Sequence, residues 1–547
     1  MRSRSARTLI AALGALSVAT LVAGCSSGTP VSTVPTTLHI AQAGEIATLD
    51  PAQWFDGVSQ GYMHAIYDTL VQYGPDGSQI EPDLATSWTV TNGGKTYIFT
   101  LRKGVKFSNG DAFHATAVQY NIQRMTSKAA NAPYAFAYSM IQGFAAWNAG
   151  TATSLTGVKV LSPHRVEFDL TAPSGTFLNA LALMSAAIGD PKVEAKYGLS
   201  SYQANAVGTG PYVLKNWVPG QEITLAANPR YWGKKPAIRT ISTLLGVTPA
   251  EQLRKFKSGQ LDMIGTQTGA LDAKTYQDVL GNRSLKKRLH TAPADAVTFL
   301  GFNVSQYPFN SLAVRKAVNY ILDRSAINAA LTGGRAPLDN DGLFAPGLPG
   351  YDAAAAYPYA PNQLQASQLL LSAGISPKHP AEFELAFQSG APNVDKAMQI
   401  VQQELAPFGL QATLKPVSWT TFFTSAQNAS QTTYGMYLLT WAADYPNPQD
   451  LFNNLFAANG QANFSGFQSQ SLQSLLASAD ALGPAQSVPY YRQANQILLA
   501  QAPAVFLEYG WNGALVQPSL HYASPGALGL GPVYSAEFAS LSFAAHR

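Results

Sequence analysis

Two stretches decide the fold of this 547-residue chain: PDLATSW at residues 82–88 and YIFTLRKGVKFSNG at residues 97–110. The second stretch overlaps a run of β-branched and aromatic residues, TYIFTL at 96–101, and this composition predicts a β-strand. On both sides of it, the chain alternates between strand patterns and helix patterns. Such alternation predicts an α/β protein with a mixed or parallel sheet.

Hydrophobic periodicity predicts further elements along the chain. Strands are expected at residues 38–41, 166–170, 383–387 and 411–417, and helices at residues 311–331, 362–373, 393–406 and 487–501. The strand–helix–strand order between residues 383 and 417 predicts a right-handed βαβ unit.

The N-terminus has the composition of a secretory signal. Three arginines in the first seven residues precede an uncharged run at residues 9–23, which is too short for a comfortable transmembrane helix. The run ends in LVAGC, residues 21–25, and this ending resembles the bacterial lipobox. The resemblance implies that residues 1–24 are removed as a lipoprotein signal peptide and that Cys25 carries the lipid. An ordinary signal peptide that happens to hold a cysteine is the alternative.

The segment from Cys25 to residue 37 is predicted to be a flexible tether. Residues 26–37 read SSGTPVSTVPTT, a composition without hydrophobic periodicity that is typical of linkers. Cys25 is the only cysteine of the chain, so no internal disulfide can form. An exported protein of this length must then rely on its hydrophobic cores for stability.

Charge and motifs argue against nucleic-acid binding and against catalysis. The chain has 35 Lys and Arg; without the three arginines of the signal, 32 remain against 31 acids, and no basic run occurs. The eight histidines have no metal-ligand spacing, and neither CxxC, HExxH nor GxSxG is present. We therefore expect a protein that is not an enzyme and that has no cofactor, no resident metal and no nucleic-acid partner.

Three short segments combine tryptophan with acidic or turn-forming residues. They are WFDG at residues 54–57, SW at residues 418–419 and TWAADYP at residues 440–446. Each segment alone is more often a buried tryptophan or an ordinary turn. Together they predict aromatic walls with a carboxylate between them, which suits a ligand that has a cationic amine and apolar groups.

The stretches at residues 82–88 and 97–110 resemble the extracellular solute-binding proteins of family 5, the oligopeptide-, dipeptide- and nickel-binding subunits of ABC importers. Other motifs match that family in the same order: TLDP at 48–51, GTGPY at 208–212, NPRYW at 228–232, FN at 302–303, VRKAVNY at 314–320, residues 366–374 and ADYP at 443–446. The resemblance covers roughly residues 40–520. One departure is FHATAV at residues 113–118, where the family commonly has an acid before the valine; we expect only a surface change there.

The resemblance implies an α/β fold of the periplasmic-binding-protein-like type II, with three lobes. Lobe I would comprise residues 38–77, 206–297 and 504–547, lobe II would be an insertion at residues 78–205, and lobe III would span residues 298–503. Two strands that cross between lobes I and III would act as a hinge. The ligand would bind in the cleft and be engulfed when the lobes close.

The family's ligand-binding residues match particular positions of this sequence. Asp444 matches the acid that pairs with a peptide's α-amino group, and Trp441 and Ala442 match a strand whose backbone pairs with an extended ligand. Asp56 and Gly57 match an acidic–glycine pair that faces the same ligand from lobe I. The alternative for Asp444 is an Asx turn before the Tyr-Pro dipeptide. The predicted side-chain walls of this site are Trp54 and Trp419.

The function that the resemblance implies is capture of short peptides by a lipid-anchored protein on the extracytoplasmic face of the cell membrane. As a monomer, it would deliver peptides to an ABC permease and its ATPase. A different solute, such as a nickel chelate, haem, an oligosaccharide or an opine, is the first alternative. A sensory lipoprotein of the same fold is the second. An exported hydrolase is the third, and the sequence offers neither a nucleophile–base pair nor a metal cluster in its favour.

Overall fold

The strands and helices come from a computed structural model of the chain. The structure describes residues 35–74, 79–198, 203–390, 392–426, 429, 432–524, 528 and 537–544. The predicted signal peptide at residues 1–24 and the predicted lipidation site, Cys25, lie outside these ranges. Within them, no helix combines the length and the apolar character that crossing a bilayer requires.

The first part of the chain contains an antiparallel sheet built from the two stretches that decide the fold. Its elements in chain order are β1 (Thr37–Ala41), α1 (Gly57–Ile66), β2 (Val71–Tyr73), β3 (Ile80–Pro82), β4 (Ala85–Thr91), β5 (Thr96–Leu101), α2 (Ala115–Thr126), α3 (Phe144–Asn148), β6 (Val158–Ser162), β7 (Arg165–Asp169), α4 (Phe177–Ala182) and α5 (Pro191–Tyr197). The sheet has the order β4-β5-β7-β6, with Trp88 opposite Phe99. Phe99 and Leu101 of β5 share one hydrophobic core with Val118 of α2. The strands predicted at 38–41, 96–101 and 166–170 are confirmed.

A second sheet is formed around β1 by the middle part of the chain. The next elements are β8 (Tyr212–Val218), β9 (Glu222–Ala227), β10 (Thr240–Leu244), α6 (Pro249–Lys257), β11 (Met263–Gly265), α7 (Ala273–Leu280), α8 (Arg283–Lys286) and β12 (Leu289–Phe302). The order is β1-β10-β9-β8, and β1 runs parallel to β10. Alternate residues of these strands, among them Leu38, Ile40, Ile223 and Leu225, are buried in a common core, which is the pattern of a half-buried sheet.

The last part of the chain contributes most of a six-stranded mixed sheet. Its elements are α9 (Leu312–Ile321), α10 (Arg324–Thr332), α11 (Gln363–Ser372), β13 (Ala381–Gln388), α12 (Pro392–Leu405), β14 (Leu410–Val417), α13 (Trp419–Ala426), β15 (Tyr434–Ala442), α14 (Pro448–Phe456), α15 (Gln470–Asp480), α16 (Pro484–Gln501), β16 (Ala504–Val516), β17 (Leu520–Tyr522) and β18 (Leu541–Phe543). The order is β11-β16-β12-β15-β13-β14. β13 and β14 are parallel and joined by α12, which confirms the predicted strand–helix–strand unit. α11, α12 and α16 confirm three predicted helices.

The helix predicted at residues 311–331 is wrong as a single element, because the chain forms α9 and α10 there. Leu322 has extended backbone angles, φ −71° and ψ 127°. The next residue, Asp323, is the N-cap of α10, and its Oδ1 accepts the backbone N–H groups of Ser325 at 2.9 Å and Ala326 at 3.1 Å. A capping aspartate stabilises a helix start. The apolar periodicity continues through this break and therefore predicted one helix.

β12 and β16 run side by side and connect the two ends of the six-stranded sheet. β11 pairs with one end of β16, and β15 pairs with the far end of β12. Their shared ladder is interrupted by bulges between Ala294 and Val297 and between Thr298 and Phe299. Bulges bend a strand pair locally. The hinge role of these two strands stays a prediction. The boundaries of the three lobes, which the family resemblance implies, also stay predictions.

Candidate functional site

A cavity of about 480 Å³ lies between two parts of the chain that are distant in sequence. One wall comes from residues 134–183 and is mostly apolar, with Phe136 and Met140 among its side chains. The other wall comes from residues 444–480 and is rich in acids and amides, including Asn453. The volume is in the range of small-ligand sites, and the mixed lining suits an orientation-specific ligand.

Asp444 lies on the polar wall, two residues after the end of β15. Its Oδ1 accepts a hydrogen bond from the Tyr134 hydroxyl at 2.6 Å, and its backbone N–H donates to Asp450 Oδ2 at 3.0 Å. No other donor among the described residues bonds the Asp444 carboxylate. Burial raises the pKa of Asp444 to about 6, and the bond from Tyr134 partly opposes that rise.

The turn after Asp444 is not made by the Asp444 side chain, so the Asx-turn interpretation of this residue is wrong. Asn447 makes the turn: its Oδ1 accepts the backbone N–H of Gln449 at 2.9 Å and caps α14. Pro448 takes the first helical position and Asp450 lies in the first turn, where both residue types are favoured. This NPQD sequence is therefore a helix start, and it brings the Asp450 carboxyl back to the Asp444 backbone.

Asp450 is a second acid of the cavity, and the sequence predictions missed it. Its side chain is buried, with 2% exposure, and its Oδ1 accepts Nδ2 of Asn454 at 3.0 Å. Burial, together with the neighbouring charge of Asp444, raises the pKa of Asp450 well above its ordinary value. The Trp441 indole lies near Asp450 and favours its ionised form, although it makes no hydrogen bond of good geometry. The sequence shows Asp450 only as an ordinary first-turn acid of a helix, so no sequence signal marked it as part of the cavity.

Tyr134 connects Asp444 to the predicted WFDG segment. Its ring stacks on the indole of Trp54 with 4.6 Å between the ring centroids. Trp54 is only 4% exposed, and its Nε1 donates to the Asp56 carbonyl at 2.9 Å. Trp54 therefore lies behind Tyr134, and Tyr134 itself lines the cavity. The sequence predictions missed Tyr134, because its segment PYAFAY at 133–138 has no acid or glycine to distinguish it from core sequence.

Asp56 and Gly57 lie at the start of α1, close to Tyr134. Asp56 Oδ1 accepts the backbone N–H of Ser59 at 2.8 Å, so Asp56 caps the helix. Its Oδ2 is buried and has no hydrogen-bond donor among the described residues. The charge of Asp56 contributes to the high pKa of Tyr134, after burial, Asp444 and Asp450. Asp56 thus combines a structural role with one acceptor that no described protein group uses.

β15 presents a partly unpartnered edge next to Asp444. β12 pairs with β15 along one side as far as Ala442. On the other side, β13 pairs with β15 only as far as Tyr437. Among the described strands, none pairs with residues 438–442 on that side, and this segment includes Trp441 and Ala442. An extended ligand could add to such an edge through backbone hydrogen bonds.

Two predicted residues cannot be compared with this geometry. Trp419 begins α13, but its side chain is outside the described part of the structure, as is Cys25.

Within the described ranges, no group of three or more His, Cys, Asp or Glu side chains is arranged to hold a metal ion.

Known proteins resemble this chain over most of its length. A family model described as bacterial extracellular solute-binding proteins, family 5 Middle, matches residues 79–463. A nickel-binding periplasmic protein of Escherichia coli (strain K12) is 30% identical over 395 residues, which cover 70% of this chain and 71% of that protein. A dipeptide-binding protein of the same organism is 28% identical over 471 residues, which cover 81% of this chain and 83% of that protein.

A solved structure shares the fold. The murein tripeptide binding protein of Escherichia coli superimposes with a TM-score of 0.75 at 23% identity, and the match covers 94% of this chain and 100% of that chain. This likeness confirms the predicted α/β fold of the periplasmic-binding-protein-like type II.

Proposed function

The chain belongs to the bacterial extracellular solute-binding proteins of family 5, and from this premise we propose that it is the substrate-binding lipoprotein of an ABC importer. It captures short peptides in the cleft between its lobes and delivers them to a membrane permease that an ATPase drives. The similarity to a dipeptide-binding protein supports a peptide ligand. The chemistry of the cavity supports it independently.

One observation carries the peptide assignment: a carboxylate oxygen and an unpartnered strand edge lie next to each other. Asp444 Oδ2 can accept a charge-assisted hydrogen bond from a peptide's α-amino group. Residues 438–442 can pair with the backbone that follows that amino group. These contacts use only groups that every peptide has, so they give affinity without selecting side chains.

Tyr134 and Asp56 complete the amine subsite in this proposal. The Tyr134 hydroxyl holds Asp444 in place, and the second oxygen of Asp56 is a further acceptor near Tyr134. Asp56, Tyr134 and Asp444 belong to predicted lobes I, II and III respectively, so the amino end of the peptide is expected where the three lobes meet. Closure around it would exclude water and strengthen each charged contact.

A nickel chelate is the second candidate ligand, because one relative with 30% identity is named a nickel-binding protein. Haem, an oligosaccharide and an opine are further candidate ligands of this fold, and a sensory role is a further candidate function. The described residues provide no cluster suited to a bare metal ion. An unpartnered strand edge also has no evident use for a compact chelate, whereas a peptide uses it directly.

Lipid anchoring at Cys25 is part of the same proposal. It rests on the LVAGC sequence at residues 21–25 and on the tether that follows. An anchor and a short tether would keep the protein at a high effective concentration near its permease. A Cys25→Ala variant is expected to leave the membrane fraction for the medium or the periplasm. Unchanged membrane fractionation of that variant would show that the anchor is not at Cys25.

Native mass spectrometry of the protein, purified without denaturation, tests the ligand class. We expect retained adducts with the masses of short peptides, and we expect the Asp444→Asn variant to lose them. Adducts with the masses of metal chelates, sugars or haem would overturn the peptide assignment and leave the solute-binding family membership intact.

A further inference from the structure

The charged side chains that line the cavity all have one sign in the described part of the structure. Asp444, Asp450 and Asp480 line it, and the described lining includes no Lys, Arg or His. The charges that act on Tyr134 come from Asp444, Asp450 and Asp56. An anionic group in this cavity would meet only like charges, and such contacts in a desolvated site are strongly unfavourable.

The cavity also contains acceptor atoms without donors. Asn453 donates its Nδ2 to Asp480 Oδ2 at 2.8 Å, and its own Oδ1 is buried with no donor among the described residues. Asp444 Oδ2, on the same wall, also has no donor among the described residues. Leaving a buried acceptor unpaired is costly. A ligand that brings N–H groups or a cation would satisfy these atoms, whereas a carboxylate would not.

The basic side chain next to this wall is engaged elsewhere. On α16, Tyr491 donates to Asp480 Oδ1 at 2.7 Å. The following residue, Arg492, instead donates from Nη1 to both oxygens of the buried Asp341, at 2.6 and 2.7 Å. Its guanidinium also lies over the Phe344 ring, 4.5 Å from the centroid. Rotating Arg492 toward the cavity would leave Asp341 without its cationic partner, so this helix offers no cation to a ligand carboxylate.

We propose that the cavity binds the cationic amino end of a peptide and excludes a free carboxylate, so that its substrates are peptides whose carboxyl end is either neutral or outside the cavity. This deepens the proposed function and rests on it. A dipeptide spans at most ~7 Å, so with its amine at Asp444 its carboxylate would stay among the acids. A tetrapeptide reaches about 14 Å and can carry its carboxylate beyond them.

Calorimetry with four small probes tests this at pH 7.5 on the full-length protein. The probes are the dipeptide Ala-Leu, its C-terminal amide, the N-acetylated amide and tetra-alanine. We expect the dipeptide amide to bind at least about tenfold more tightly than the free dipeptide, because only the carboxylate charge differs. The acetylated amide, which lacks the amine, is expected not to bind, and tetra-alanine is expected to bind.

A cation introduced into the cavity lining tests whether charge causes the preference for the dipeptide amide. Asn459 is exposed and lines the cavity, so Asn459→Arg places a cation there with little risk to folding, and Asn459→Gln is the neutral control. We expect Asn459→Arg to reduce the preference for the dipeptide amide at least about threefold, and Asn459→Gln to leave it unchanged.

The results distinguish the exclusion of a free carboxylate from the peptide-binding function on which it rests. If tetra-alanine binds and the free dipeptide binds as tightly as its amide, the carboxylate exclusion is wrong and the peptide-binding function stands. An amide preference that Asn459→Arg leaves unchanged also overturns the inference, because charge would not be its cause. If none of the four probes binds, the proposed function fails, and the inference fails with it.

Discussion

Asp50 is buried beside a cation, whereas the buried Asp450 lies beside a second acid, the half-buried Asp444. Arg124 donates from Nη1 and Nη2 to the two oxygens of Asp50, at 2.7 and 2.6 Å, and the Arg124 and Asp50 side chains are only 7% and 4% exposed. The described lining of the cavity around Asp444 and Asp450 provides no such cation. The contrast indicates that the protein neutralises a buried acid where it supports the fold and leaves the acids of the cavity for a ligand to neutralise.

Removing the cation from the paired acid Asp50 is expected to have the largest effect on stability. An Arg124→Met variant would leave the buried Asp50 without a cation, and this is expected to lower the free energy of unfolding by about 3–5 kcal/mol. Chemical denaturation of the ligand-free protein measures the change. Arg254→Met is the matched control, because Arg254 pairs with Glu251 on the exposed surface of α6 and exposed pairs contribute little. Equal midpoints for both variants would show that the buried pair does not support the fold.

The pH dependence of peptide binding tests the ionisation of Asp444, which has no cationic partner among the described residues, unlike Asp50. Asp444 has a pKa raised to about 6 and must be ionised to hold an amine, and the groups that face it are Tyr134 and Asp450. Since the acid gains its proton as the pH falls through 6, the affinity for tetra-alanine is expected to fall about tenfold between pH 7.5 and pH 5. Calorimetry at both values measures this. An affinity that does not change would mean that no ionised Asp444 is needed.

Removing an unpaired charge is expected to have a small effect with the opposite sign to Arg124→Met. The folded-state pKa of Asp444 is raised above 3.8, so its contribution to stability is present at low pH and is lost as the pH rises through about 6. The ligand-free Asp444→Asn variant is therefore expected to be as stable as the wild type at pH 7.5, or more stable by about 1 kcal/mol. The difference should shrink toward pH 4. A clear loss of stability at pH 7.5 would mean that Asp444 supports the fold rather than a ligand.

Local elements could be predicted from the sequence because each depends on neighbouring residues. β5 and the β13–α12–β14 unit follow from residue type and periodicity, whereas the break between α9 and α10 depends on a single capping aspartate inside a continuous apolar pattern. The acid of the site was predicted from the tryptophan-containing segment TWAADYP at 440–446 and from the resemblance of its ADYP to a family motif. Its surroundings could not be predicted in the same way.

Contacts between distant parts of the chain were beyond the reach of sequence patterns. Tyr134 is 310 positions away from Asp444, and its aromatic segment has the composition of an ordinary core. Asp450 was closer, but its position in the first turn of α14 has a sufficient structural explanation, so nothing in the sequence separates its role in the cavity from helix capping. Trp54 was predicted to contact the ligand, and the structure puts Tyr134 in front of it.

Calorimetry of the Asp444→Asn variant with tetra-alanine measures whether the Asp444 carboxylate holds the amino end of a peptide. The variant is expected to bind more weakly than the wild type by about 2 kcal/mol or more, because a desolvated amine would lose its charged partner. Asp278→Asn is the matched control, since Asp278 is an exposed partner of Lys274 on α7, and it is expected to bind like the wild type. Equal affinities for the Asp444→Asn variant and the wild type would contradict the claim that Asp444 holds the amino end of a peptide.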